Sequence, residues 1–134
     1  MSAVADQVYV VDASVIVDLV LGGSARTAIA ERLSDVVLHA PAHLDAEVLS
    51  AIGRIHRAGN LTAREAGERL EDAAEMPVTR HLLDPLVPGA WRRRQRLRLM
   101  DALYVELAST LHVPLLTTDA ALGRATRRAE VIVG

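Results

Sequence analysis

The sequence predicts an α/β fold, with a central parallel sheet of four to five strands flanked by helices. Three observations carry this. Runs of apolar β-forming residues recur along the chain, each only three to five residues long. Between them lie stretches whose apolar residues repeat every three or four positions, the spacing of one helix face. The leading run, Val8-Tyr9-Val10-Val11, carries no polar alternation, which is the pattern of a strand covered on both faces of a parallel sheet. The 134 residues suit one compact domain, expected to span residues 1–134.

In chain order, residues 8–11 form the first strand, and Asp12-Ala13-Ser14 offers polar side chains to cap a following helix. Ser24 is placed to cap a second helix that runs through Leu33. Val36-Val37-Leu38 reads as the second strand, stopped before Pro41. A helix over residues 42–58 follows from the stripe Leu44, Val48, Ile52 and Ile55, with Gly59 as its stop. Thr62-Ala63-Arg64-Glu65 is a capping box, so the next helix runs to Glu75 and Pro77 ends it. Val78-Thr79-Arg80 is a short third strand. Residues 82–98 are less regular, with Pro85 and Pro88 ahead of a basic run. Residues 100–111 form a helix with Leu103, Leu107 and Leu111 four apart. A strand over 113–117, a short helix over 119–128 and a closing strand over 131–133 complete the alternation.

Composition removes whole classes of chemistry. The chain has no cysteine, so disulfides, thiolate metal sites, iron–sulfur clusters and thiol catalysis are excluded. All 15 basic residues are arginine, which excludes Schiff-base and Walker-type lysine mechanisms. Seventeen acidic residues make the net charge −2, so there is no global attraction to nucleic acid. The first residues lack a basic segment before an apolar one, and no apolar run approaches a membrane span. A soluble cytoplasmic protein with no membrane partner is expected.

Ligands of open parallel sheets bind beyond the carboxyl ends of the strands. Two strands end in an acid beside a small hydroxyl: Val10-Val11-Asp12-Ala13-Ser14 and Leu115-Leu116-Thr117-Thr118-Asp119. Glu47 sits beside the stripe residue Val48, and Asp101 opens the helix over 100–111. Taken singly, these have ordinary roles: Asp12 and Asp119 as caps, Asp101 as a macrodipole partner, Glu47 as a solvated side chain. Gathered at one rim, four carboxylates repel one another and demand a counter-ion. With no lysine available, a hard divalent cation such as Mg²⁺ or Mn²⁺ meets that demand, and such a site suits phosphodiester hydrolysis.

These motifs, together with Pro41-Ala42-His43-Leu44-Asp45-Ala46-Glu47-Val48 and Asp101-Ala102-Leu103-Tyr104, resemble those of PIN domains. More narrowly, the chain is similar to VapC-type toxins of toxin–antitoxin pairs, over roughly residues 8–133. The resemblance implies a PIN-like three-layer sandwich and a Mg²⁺- or Mn²⁺-dependent endoribonuclease. It implies Asp12, Glu47, Asp101 and Asp119 as the catalytic acids, with Asp12 and Asp101 as principal metal ligands. Ser14 and Thr117 would position the carboxylates or the substrate phosphate. It further implies hydrolysis by a metal-activated water, a homodimer, and inhibition by a VapB-like antitoxin.

Trp91-Arg92-Arg93-Arg94-Gln95-Arg96-Leu97-Arg98 holds five arginines in seven positions just before Asp101. Arg92, Arg93, Arg94 and Arg96 are candidates for RNA phosphates, with Trp91 able to stack on a base; the alternative is a solvated helix face. His43 and Glu47 are four apart, a possible ligand pair, although no H-E-x-x-H pattern exists. The mean hydropathy of +0.22 points to surplus apolar surface and hence an interface. Two other readings stand beside the nuclease: a phosphoaspartate protein, disfavoured because it needs a later lysine, and a PIN-like protein that binds RNA or a partner without cutting.

Overall fold

The computed structural model describes residues 7–133; residues 1–6, read above as lacking a secretion signal, lie outside it. Five strands form one sheet in the order β3-β2-β1-β4-β5. They are β1 (Gln7–Val11), β2 (Val36–Pro41), β3 (Val78–His81), β4 (Leu115–Thr117) and β5 (Ala129–Val131), and every pairing is parallel. Seven α-helices among the described residues flank it: α1 (Ala13–Leu21), α2 (Arg26–Leu33), α3 (Leu44–Arg57), α4 (Ala63–Glu75), α5 (Val87–Arg92), α6 (Leu99–Leu111) and α7 (Ala120–Ala125). This is the predicted three-layer α/β architecture. No single helix among the described residues is long and apolar enough to cross a membrane.

The apolar first strand occupies the middle of the sheet for the reason its composition suggested. Val10 and Val11 are fully buried, between β2 and β4 in the sheet and beneath α6. Helices α1 to α4 pack on one another, while α5 packs on α6 and α6 lies against β1, β2 and β4. The stripe of α3 buries Leu44, Val48 and Ile52, as its spacing predicts. The capping box at Thr62 is present in both directions, Glu65 N–H to Thr62 Oγ1 at 3.0 Å and Thr62 N–H to Glu65 Oε1 at 2.9 Å.

Several boundaries differ. Strand β2 runs through Pro41 instead of stopping before it. Its last pair with β1 is Val10↔His39, so β2 has outrun β1 where the missing proline N–H would fall, and nothing is lost there. Helix α2 begins at Arg26 with no side-chain cap, so Ser24 does not cap it. Helix α3 begins at Leu44, two residues later than expected. The stretch 82–98 is more ordered than predicted, with a 3₁₀ turn over Asp84–Leu86 and then α5. Its prolines fall in first turns, where a missing N–H costs nothing. Helix α7 ends at Ala125, not Arg128, and β5 sits earlier than 131–133. Helix α7 ends where Thr126 turns extended, and α7 packs so closely on β5 that a Cβ at Gly123 would strike Val131.

Candidate active site

The sheet order creates a crevice. The chain leaves β1 toward β2 and β3, then returns to β4 on the other side, so the order reverses between β1 and β4. Register places Val11 opposite Leu116, and the two strands end side by side. Asp12 follows one and Thr117 ends the other, which puts the predicted acids at the position where open α/β sheets bind ligands.

One pocket of about 350 Å³ opens there, lined by Asp12, Ser14, Asp18, Glu47, Asp101 and Asp119 among others. All four predicted carboxylates therefore reach a common space, each from a different element. Asp12 precedes α1, Glu47 lies in its rim-side first turn on α3, Asp101 opens α6, and Asp119 caps α7.

Asp12 is the most constrained. It is 6% exposed, and both its oxygens are held. Ser14 Oγ donates to Oδ1 at 2.5 Å, Thr117 Oγ1 donates to Oδ2 at 2.6 Å, and the Val15 N–H caps Oδ1 at 3.3 Å. The two hydroxyls are themselves fixed by backbone donors, Thr118 N–H to Ser14 Oγ and Asp119 N–H to Thr117 Oγ1, both at 3.0 Å. Each hydroxyl thus links a β4-end amide to the β1-end carboxylate. Burial pushes the Asp12 carboxyl up from 3.8 to about 6; the three hydrogen bonds oppose the rise and the charge of Asp101 adds to it.

The other acids keep an oxygen for the pocket. Asp119 Oδ1 accepts from Ala121 N–H at 2.9 Å and Leu122 N–H at 3.4 Å as the cap of α7. Glu47 Oε1 accepts from Tyr104 Oη at 2.6 Å. Tyr104 is buried, and that burial, with Glu47 beside it, pushes its hydroxyl pKa far up, so it remains a donor. His43 packs on the Tyr104 ring at 4.6 Å between centroids, and its Nε2 lies 3.5 Å from Glu47 Oε1. That nitrogen donates to the Met100 carbonyl at 3.0 Å, so it is engaged, while Nδ1 is buried without a partner. Asp101 pairs with Arg98 at 3.3 Å.

Four polar pocket-lining side chains received no role from the sequence: Asp18, Arg54, Arg98 and Tyr104. Tyr104 lay inside a quoted motif but received no role. Arg54 follows Glu47 by seven residues, two turns along the same face of α3, and Arg98 precedes Asp101 by three. Helical spacing was the available signal for both. The arginine strip is divided by the structure. Arg93 bonds Glu106 through Nε and Nη2, at 3.2 and 3.1 Å. Arg94 stacks on Trp91 and donates to its carbonyl at 3.0 Å. Arg92 and Arg96 make no ion pair among the described residues.

The donor set suits a hard divalent ion. Five acids line the pocket against two arginines, all acidic donors are oxygens, and Asp12 is a buried carboxylate with no cationic partner. Among the described residues no three His, Asp or Glu side chains converge closely enough to cage an ion. Mg²⁺ does not require such a cage, because it binds through one or two carboxylates and keeps waters or phosphate oxygens.

Comparison with known proteins agrees with the geometry. The PIN domain family model matches residues 9–128. Ribonuclease VapC3 of Mycobacterium tuberculosis is 55% identical over 124 residues, covering 92% of this chain and 90% of that protein. The crystal structure of PAE2754 from Pyrobaculum aerophilum superposes with a TM-score of 0.70 at 23% identity, over 97% of this chain and 86% of that one. A toxin–antitoxin complex from Klebsiella pneumoniae gives a TM-score of 0.68 at 13% identity, over 93% and 98%. The acidic crevice between β1 and β4, the match over most of the chain and the likeness to VapC3 lead to one conclusion: the chain belongs to the PIN-domain family, among its VapC-type members.

Proposed function

We propose that this protein is a metal-dependent endoribonuclease toxin of a type II toxin–antitoxin system, one PIN domain acting in the cytoplasm. It hydrolyses RNA phosphodiester bonds in the four-carboxylate pocket and is silenced by a VapB-like antitoxin. The observation that carries this is the convergence of Asp12, Glu47, Asp101 and Asp119 on one pocket at the strand-order reversal. The ribonuclease name of VapC3 and the antitoxin in the Klebsiella complex support it.

Asp12 and Asp101 would hold the Mg²⁺ or Mn²⁺ ion. When bound, that ion supplies neutralisation of phosphate charge and acidification of water. Ser14 and Thr117 fix both oxygens of Asp12, so the carboxylate needs no rearrangement on binding. Tyr104 holds Glu47 by one oxygen. The second oxygen of Glu47 or of Asp119 would accept the proton of the attacking water. In-line attack at phosphorus then breaks the bond to the 3′ oxygen. Exposed apolar side chains at Leu82, Val87, Trp91 and Met100 support a homodimer or antitoxin interface.

The test uses Asp12→Asn and Asp101→Asn proteins with unchanged circular dichroism. Each should lose at least ~100-fold in the rate of RNA cleavage, since charge stabilisation of several kcal/mol is removed. Cleavage at the parent rate by either protein rules the reading out and favours a binder that does not cut.

A further inference from the structure

A second groove, of about 580 Å³, lies outside the acidic pocket. One wall is Arg92, Arg93, Gln95, Arg96 and Leu97; the other comes from the far end of the chain and brings Arg124 and Arg127. Five arginines line it, and no acid does. Glu106 neutralises Arg93 alone. Of the fifteen arginines, Arg32, Arg64, Arg69, Arg80, Arg93 and Arg98 have a carboxylate partner within 4.0 Å; among the described residues the other nine have none, and four of these nine gather in this one groove. Arg92, Arg96, Arg124 and Arg127 have none among the described residues. In a chain with more acids than bases, four guanidiniums without a carboxylate partner line one concavity, a lining whose charge and fork geometry suit phosphate oxygens.

Both walls lead to the acidic pocket. On one side the chain passes from Arg96 to Arg98 and Asp101, which line that pocket. On the other, α7 starts at its cap Asp119 in the pocket and ends beside Arg124 and Ala125 in the groove. Six helical residues rise about 9 Å, within reach of the next phosphates along a bound strand. The pocket itself repels a polyanion through its acids, so attraction for RNA has to come from beside it.

We propose that Arg124 and Arg127, facing Arg92 and Arg96, form a backbone clamp for single-stranded RNA phosphates flanking the scissile bond. The clamp rests on the ribonuclease reading for its ligand. Arginine forks take phosphate oxygens bidentately, and a clamp of this kind sets affinity and register without reading bases.

The test is fluorescence anisotropy of a short labelled single-stranded RNA against the full chain in EDTA, over a salt series. The Arg124→Gln/Arg127→Gln protein should bind at least about tenfold more weakly at low salt. Its slope of log K against log salt should fall by ~1.4, two phosphate contacts at about 0.7 each. Both side chains are exposed, so folding is expected to be unaffected. Arg124→Lys/Arg127→Lys, which keeps the charge, should keep the slope. With metal restored, the Gln variant should cleave a dinucleotide at the parent rate and a longer RNA with raised KM and unchanged kcat. An unchanged affinity and slope overturn the clamp. So does a variant that binds RNA as the parent does but loses its grip on the antitoxin, because the groove would then serve an acidic protein segment. A parent that binds RNA with the expected slope but never cuts it defeats the ribonuclease reading and leaves the clamp standing.

Discussion

Asp12 is buried at the end of the central strand and meets two hydroxyls and a backbone N–H but no cation. Its carboxyl is raised to about 6 from 3.8, chiefly by burial. A carboxyl with a raised folded-state pKa binds protons more tightly when folded. As pH rises from about 4 to 6, the unfolded chain gives up its proton first and stability falls. The full penalty above pH 6 is about 3 kcal/mol for a shift of this size. Chemical denaturation in EDTA should therefore find Asp12→Asn more stable than the parent at pH 7.5, by about 1–2 kcal/mol once weaker amide acceptance is allowed for. The advantage should vanish at pH 4. A difference that does not change with pH would refute this account of Asp12. The residue types were legible in sequence, because an acid beside a small hydroxyl after an apolar run marks a strand end. That Tyr104 holds Glu47 was not, because it depends on how α3 and α6 meet.

Among the elements, α5 and α6 show why the stretch before Asp101 is ordered. Gly89 packs directly under the Glu106 carboxylate, and a Cβ at that position would collide with it. The absent side chain lets α5 approach α6 closely enough for Arg93 to reach Glu106. Gly89→Ala should displace the flexible Glu106 carboxylate and loosen its pair with Arg93, a cost of about 1 kcal/mol or less in thermal unfolding. Truncating the partner in Gly89→Ala/Glu106→Ala should recover part of that loss; strict additivity of the two changes would refute the collision. Periodicity predicted α3 because it buries one face and the apolar spacing records that face. The capping box predicted α4, and leucines four apart marked α6, which is buried around a whole turn from Ala102 to Val105. Periodicity missed α5, whose six residues include Pro88 and Gly89 and owe their helix to packing on α6. The expected α7 overran its end, since the chain turns extended at Thr126 and returns to the sheet as β5.

Across the whole molecule, a net charge of −2 conceals two opposed fields. Acids crowd the crevice beyond β1 and β4, and unpaired arginines line the groove beside it. A divalent cation in the crevice relieves repulsion that is present only when the chain is folded, so it should stabilise the fold by mass action. Millimolar Mg²⁺ or Mn²⁺ should raise the melting temperature of the parent by several degrees, about 1–3 kcal/mol of linkage. The same addition should leave Asp12→Asn/Asp101→Asn nearly unmoved in a thermal-shift assay. Equal shifts for both proteins would place the ion elsewhere.

The α/β class, the parallel sheet, the helices with apolar stripes, and the four acids with their two hydroxyls can all be read along the chain. These are written locally, in spacing and in the residue types that end strands and begin helices. The folded arrangement makes β1 and β4 neighbours, which brings Asp12 and Thr117 within 2.6 Å across 105 residues of chain. It alone set Arg124 and Arg127 opposite Arg92 and Arg96. Such juxtapositions depend on strand order and on how closely helices pack, and neither leaves a periodic trace in the chain.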